Sequence, residues 1–234
     1  MLLIKNKASL YCFSPPIMIA SFLIEIILAL YSFIKLKPSR IKNLTIITLV
    51  LLATFQIAEF FVCSGTNIEG INYASRVGYI AITFLPPLGL HLANELGGRK
   101  RHWSTYTSYA LAAGFTLFFV LVPNSINDSI CTGNYVIFTF LKPLNLVYGI
   151  YYFGLLLATL VISVNLSSTQ KNNKIKRSLH WLIVAVLAFT LPTGIIYLIT
   201  PSAGSAIPSI MCGFAVIYAI ILAFKIAPLS SKTK

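Results

Sequence analysis

The sequence predicts an all-α fold: a polytopic membrane protein, a bundle of seven transmembrane helices with its N-terminus outside and its C-terminus in the cytoplasm. Three observations carry this expectation. The 234-residue chain is 57% hydrophobic and only 10% charged, where a water-soluble domain carries roughly 25% charged residues. Seven continuous apolar stretches are each long enough to cross a bilayer core, which takes about 20 residues in helix. The basic residues behind the net charge of +13 gather on one side of such a bundle, as cytoplasmic loops require. The runs are continuous rather than alternating, which excludes a barrel. A helix also satisfies its own backbone groups, as lipid demands.

The first span covers about 15–36. The residues before it include Lys5, Lys7 and Cys12 but no apolar run of signal length and no small-residue cleavage site, so this span reads as retained. Lys35, Lys37, Arg40 and Lys42 lead into the second span, about 44–63. The third, about 76–96, runs into Arg99, Lys100 and Arg101, and the fourth, about 105–122, opens beside Trp103. A turn-rich loop follows at about 123–142, with Pro123, Asn124, Asn127, Asp128, Gly133 and Asn134. Within it, 136–140 (VIFTF) reads either as a short strand or as an early helical turn. The fifth span covers about 143–165, and Lys171, Lys174, Lys176 and Arg177 precede the sixth, about 180–199, which opens beside Trp181. The seventh, about 206–226, is followed by Lys232 and Lys234, with Lys225 at its end. Fourteen of the eighteen Lys and Arg residues then share one face, leaving Lys5, Lys7, Arg76 and Lys142 opposite. Removing or adding one helix would scatter them, so helix count and orientation support each other. The same placement assigns the charge to topology rather than to nucleic acid. No polar stretch is long enough for a second domain, so 1–234 reads as one transmembrane domain in the cell (inner) membrane, with lipid as its solvent.

Cys63 ends the second span and Cys131 lies in the loop after the fourth, both on the outer side. A disulfide there would persist; two free thiols, or Cys12 as a partner, are the alternatives. Cys212, inside the seventh span, reads as a packing residue. No CxxC pair or Cys/His cluster points to a metal, and no cofactor is expected.

Polar residues inside the spans are the candidates for function. An intramembrane carboxylate costs about 2.5–3.5 kcal/mol, so it belongs in the bundle interior. Glu25 shares a face with Ser21 and Ser32, and Gln56 shares one with Glu59. The fifth span carries Asn145, Tyr148, Tyr151 and Tyr152, and the sixth Thr190, Thr193 and Tyr197. These stripes describe either a ligand cavity or hydrogen bonds that glue the helices together. Arg76 and Lys142 are the basic residues expected within reach of Glu59. In the third span, Pro86 and Pro87 deprive the carbonyls of Ile82 and Thr83 of their helical partners. A kink follows, with His91 one turn beyond it as part of a conformational switch, or bonded to a backbone carbonyl in a static kink. Ala215, Ala219, Ala223 and Ala227 form a smooth stripe along the seventh span. It serves either internal packing or a homodimer face.

Several classes are disfavoured. The seventh span has no lysine at its middle, which argues against a retinal Schiff base. The three histidines, His91, His102 and His180, form no convergent set for a zinc hydrolase. There is no phosphate-cradling glycine loop and no GxSxG. Enzyme activity is therefore the least expected class.

The stretch RVGYIAITFLPPLGLHLANELGGRKR (76–101) resembles the third helix of the seven-transmembrane sensor region at the N-terminus of many bacterial membrane histidine kinases. QIAEFF (56–61), NLVYGIYYFGLLL (145–157) and AVIYAIILAFKIAP (215–228) are similar to that family's second, fifth and last helices. In the family the last helix leads into cytoplasmic signalling domains, whereas this sequence stops at Lys234. The resemblance implies a receptor-like module, stand-alone or a fragment, that signals to a separate cytoplasmic partner. On this reading Glu59, Gln56, Lys142, Tyr148, Tyr151, Tyr152 and Tyr197 line one small-molecule cavity in the outer half, and the third helix carries the change inward. The alternatives are a small-solute transporter of seven-helix type, which would expose one site to both sides in turn, and a structural subunit. Only the third span is interrupted, by Pro86 and Pro87, and no internal repeat is visible.

Overall fold

The computed structural model describes residues 14–65, 68–99, 103–122, 125–132, 135–140 and 143–231. Among them, seven helical segments are long and apolar enough to cross a membrane. The chain is therefore a multi-pass membrane protein with an all-α bundle.

Local chemistry sets where the helices start. Helix α1 (Pro15–Lys35) opens on two prolines, which suit a first turn whose N–H groups have no partner anyway. Helix α2 (Arg40–Cys63) is capped by Ser39, whose hydroxyl accepts from the Lys42 amide at 3.1 Å. The third span is two helices, α3 (Ile68–Thr83) and α4 (Leu85–Leu96), which meet at Phe84. The expected kink is thus a break. Pro86 and Pro87 fall in the first turn of α4, where their missing N–H groups cost least. Gly98, at φ 75°, ends α4 in the left-handed conformation that glycine adopts freely. Helices α5 (Trp103–Leu121), α6 (Leu144–Thr169) and α7 (Asn173–Ile199) follow, α7 running through Pro192. A 3-10 turn (Pro201–Ala206) leads into α8 (Ile207–Ile221), then a π turn (Leu222–Ile226) and α9 (Ala227–Ser231), which together make the seventh span. That π turn is a second interrupted span, which corrects the expectation of interruption in the third span alone.

Spans three, seven and two form the interior, with 72%, 56% and 50% of their apolar windows buried. The first, fourth, fifth and sixth lie at 22–33% and form the rim. Span three begins before residue 76, and its start is masked in the sequence because its early turns carry Asn72 and Arg76. Span four, at a hydropathy of 1.3 against 1.2 for span three, is nearly as polar, yet peripheral, because its Ser, Thr and Tyr residues cluster in its first two turns. Exposed residues such as Leu23, Ile27, Phe33 and Ile34 on α1, and Leu146, Ile150, Leu157 and Val161 on α6, face outward. In water such a surface would aggregate; in lipid it is the solvated face.

Ala215, Ala219, Ala223 and Ala227 are 4%, 0%, 0% and 2% exposed. The use of Ala215, Ala219 and Ala223 as a dimer face is therefore corrected: the stripe is covered by this chain's own helices.

The stretch 136–140 is a strand. Strands β1 (Ile126–Cys131) and β2 (Val136–Phe140) pair antiparallel, with Cys131 opposite Val136 and Ser129 opposite Phe138. Alternate residues Val136 and Phe138 point into the bundle and are 0% and 2% exposed. Phe138 packs on Tyr79 and Phe55, ring centroids 5.0 and 6.1 Å apart. Three ties hold this hairpin down. Cys131 is bonded to Cys63 on α2, with Cα atoms 5.1 Å apart. Ser75 Oγ on α3 donates to Ser129 Oγ at 2.7 Å, and the Val136 amide donates to Ser209 Oγ on α8 at 3.2 Å. The bundle thus has a hairpin end and, opposite it, a basic end.

Candidate functional site

The break in span three is held by its neighbours. Pro87 leaves the Thr83 carbonyl without a helical donor, and Tyr151 Oη on α6 donates to it instead at 2.7 Å. Thr83 Oγ1 donates to the Tyr79 carbonyl at 2.6 Å. With its proton so used, it accepts from Tyr148 Oη at 3.1 Å. Two tyrosines of the fifth span therefore grip the point where α3 gives way to α4. Phe115 on α5 backs them, its ring 5.3 Å from Tyr148 and 4.7 Å from Tyr151.

Beyond the break, α4 is tied to the basic end by polar contacts. His91 Nδ1 lies 3.2 Å from Tyr109 Oη on α5, so its ring partner is a side chain rather than a backbone carbonyl. Asn94 Nδ2 donates to Thr105 Oγ1 at 3.1 Å, and Gln170 Nε2 donates to the Gly97 carbonyl at 3.0 Å. Arg40 pairs with Glu95 at 3.8 Å across the start of α2. Arg40, His91, Glu95 and Arg99 line a polar cleft there with Tyr106 and Tyr109.

A narrow apolar cleft opens between α6 and the start of span seven. Tyr79, Tyr148 and Tyr152 form its inner wall with Met211 and Cys212, and Asn145, Gly149, Phe153, Gly204 and Ser205 line its outer part. Asn145 and Phe153 are exposed, so its mouth lies on the side of the bundle rather than beneath the hairpin. Gly149 meets nothing within 4 Å of where a Cβ would sit. Tyr152, Met211 and Cys212 also line a second apolar cavity, with Leu52, Leu85, Leu156 and Phe189. The two spaces adjoin at Tyr152.

Gln56 and Glu59 are elsewhere. They are 2% exposed and line a small chamber on the other side of α8, with Ile17, Met18, Ser21, Ser209 and Gly213. Gln56 Nε2 donates to the Cys212 carbonyl at 2.9 Å. The single outer cavity expected from the sequence is corrected to two chambers with α8 between them, because α2 turns its carboxyl face toward α1 and not toward α6. Tyr148, Tyr151 and Tyr152 are brought together. Tyr197 is not among the lining residues: it is 45% exposed, its ring lying beside Gly204 at the outer rim of the cleft. Thr190 and Thr193 spend their hydroxyls on carbonyls of their own helix, Val186 and Phe189. Lys142 lies outside the described residues. Among the described residues the ion pair is Arg40–Glu95, so Arg76 is not paired with Glu59.

Sequence reasoning passed over Gly149, Gly204, Ser205 and Ser209. The signal for the first two was a missing side chain on each wall of the cleft, which a search for polar stripes overlooks.

Residues 17–227 match the family described as the N-terminal 7TM region of histidine kinase. No curated protein matches the chain. The match runs from the first span into the last, across the broken third helix and its tyrosine grip, and the chain belongs to the N-terminal seven-transmembrane sensor regions of histidine kinases.

Proposed function

We propose that this sensor region binds a small molecule in the cleft between α6 and span seven and passes the change to a cytoplasmic signalling protein. One observation carries the reading: the wall of the cleft and the clamp on the break share Tyr148. Whatever fills the cleft presses on a side chain that holds α3 against α4. Because α4 is bonded to α5, α6 and the start of α2, a shift at Phe84 moves the polar cleft at the basic end. A ligand shifts such an equilibrium only by its differential affinity for the two states, and a cleft wall that is also a hinge clamp supplies that difference. The basic end is the cytoplasmic one on this reading, and the hairpin end faces the cell exterior or periplasm. Two independent features support the orientation: the Lys and Arg excess in the loops of one end, and a disulfide at the other, which fits an oxidising compartment.

The test fills the cleft without a ligand. The chain is joined to the catalytic region of a histidine kinase, and autophosphorylation is measured in lipid nanodiscs. Gly149→Trp, whose ring enters the cleft from a position with open space, is expected to change the output at least several-fold. Leu157→Trp, on the exposed face of the same helix and outside the cleft, leaves it unchanged. Equal output from wild type and Gly149→Trp would sink the proposal.

A further inference from the structure

The basic end carries a second groove, apart from the polar cleft around His91. It runs between α7 and the last turns of span seven, with a volume of about 260 Å³. Arg177 and Trp181 form one wall, and they share a face because they lie one turn apart on α7. Phe224 and Lys225 of the π turn form the other, with Pro228 and Leu229 of α9 beside them. Lys225 Nζ sits over the Trp181 ring, 5.6 Å from its centroid. The π turn places this wall. It adds a residue to one turn of the helix, buries Leu222, Ala223 and Ile226, and leaves Phe224 and Lys225 on the outside.

The two positive charges of the groove have no acid beside them. Of the chain's five acidic residues, Glu95 is the one placed at the basic end, and it pairs with Arg40. Among the described residues no side-chain carboxylate comes within 4.0 Å of Arg177 or Lys225. The indole face attracts the Lys225 ammonium but carries no net charge to offset it.

A tryptophan at the end of a span marks the headgroup layer. The anion abundant in that layer is phospholipid phosphate, and basic pockets between membrane helices suit it. A guanidinium takes two phosphate oxygens through its fork, and an ammonium adds a compact point charge. The groove has no carboxylate for a choline or ethanolamine ammonium, and Lys225 already covers the indole that could receive one. A headgroup with net negative charge therefore fits best. Phe224, 48% exposed, and Leu229 offer an apolar track that an acyl chain can use and a free phosphate cannot. We propose that this groove binds an anionic phospholipid, with Arg177 and Lys225 on its phosphate and Phe224 and Leu229 along the start of its chain. The bound lipid bridges span six and the end of span seven. The site is independent of the cleft between α6 and span seven.

Trp181 is itself the probe. The chain's other tryptophan, Trp103, is 70% exposed and is replaced in a Trp103→Phe background. The full chain is reconstituted in phosphatidylcholine vesicles containing increasing fractions of lipid with brominated chains, phosphatidylglycerol in one series and phosphatidylcholine in the other. Brominated phosphatidylglycerol is expected to quench Trp181 at a several-fold lower mole fraction. The Arg177→Gln, Lys225→Gln double variant removes that preference. The Lys171→Gln, Lys174→Gln double variant, which deletes two exposed charges of the same end outside the groove, keeps it. Equal quenching by the two lipids in the Trp103→Phe chain overturns the proposal, and that result needs no groove variant to fold. A preference that survives the groove variant, or one lost equally in the control variant, belongs to the general field of the basic end and also overturns it. Inorganic phosphate, titrated against sodium chloride at equal ionic strength, is expected to leave the preference in place. Its abolition by phosphate would mean that the groove takes free phosphate, and would overturn the lipid assignment.

Discussion

Tyr151 shows how one hydroxyl substitutes for a missing backbone donor. Pro87 removes the N–H that Thr83 would have used, and the phenol 2.7 Å away replaces it. Tyr151→Phe keeps the ring against Phe115 and deletes only that bond, leaving a buried carbonyl unsatisfied. The expected loss is about 1 kcal/mol, within the range for such bonds in and out of membranes. Reversible unfolding in mixed detergent micelles measures it, with Tyr197→Phe, on an exposed residue, as the neutral reference. Equal stability of the two variants would mean that the hydroxyl does not support the break. The tyrosine stripe itself was legible from spacing, because Tyr148, Tyr151 and Tyr152 fall on one helical face. Its partner was not. Which carbonyl a phenol reaches depends on how α6 is turned against α3, and nothing along α6 encodes that turn. Glu25 and Glu59 make the same point: each is recognisable as an interior carboxyl from cost alone, but the chamber that Glu59 lines with Ser21 and Ser209 is not.

At the scale of elements, the hairpin is the part whose attachment matters most. It closes one end of the bundle through a buried Phe138 and three ties to different helices. Cys63 and Cys131 are expected to resist maleimide in the intact protein and to react after reduction, while buried Cys212 stays protected in both conditions. Ready labelling of Cys63 without reductant would remove the disulfide as a tie. Reduction should also raise hydrogen exchange over 126–140, since a 68-residue separation no longer closes. The pairing of the two cysteines was arguable from sequence because both fall on one side of the bundle. The sequence leaves the strand undecided because four apolar residues and one threonine suit a strand or a helical turn equally well. Its antiparallel partner, and inward pockets for alternate residues, settle the choice. The π turn in span seven had no signal of its own. Leu222–Ile226 contains no proline or glycine, so the extra residue is accommodated through packing against neighbours.

The whole molecule has a tethered hairpin at one end, a clefted bundle around a broken helix, and a basic face at the other. Reporter tags after Lys42, Arg101, Lys176 and Lys234 are expected to read cytoplasmic, and a tag near Asn127 external. An external signal at any of the first four would refute the proposed orientation. The number of crossings and the crowding of positive charge at one end follow from the sequence because hydropathy and charge are sums along the chain. Each stretch of about 20 residues meets the bilayer on its own terms. The division into two chambers, the grip of Tyr148 and Tyr151 on Thr83, and the burial of the alanine stripe belong to the tertiary structure. They depend on the rotation and tilt of each helix, and these are set by packing against several neighbours at once rather than by any segment's affinity for lipid.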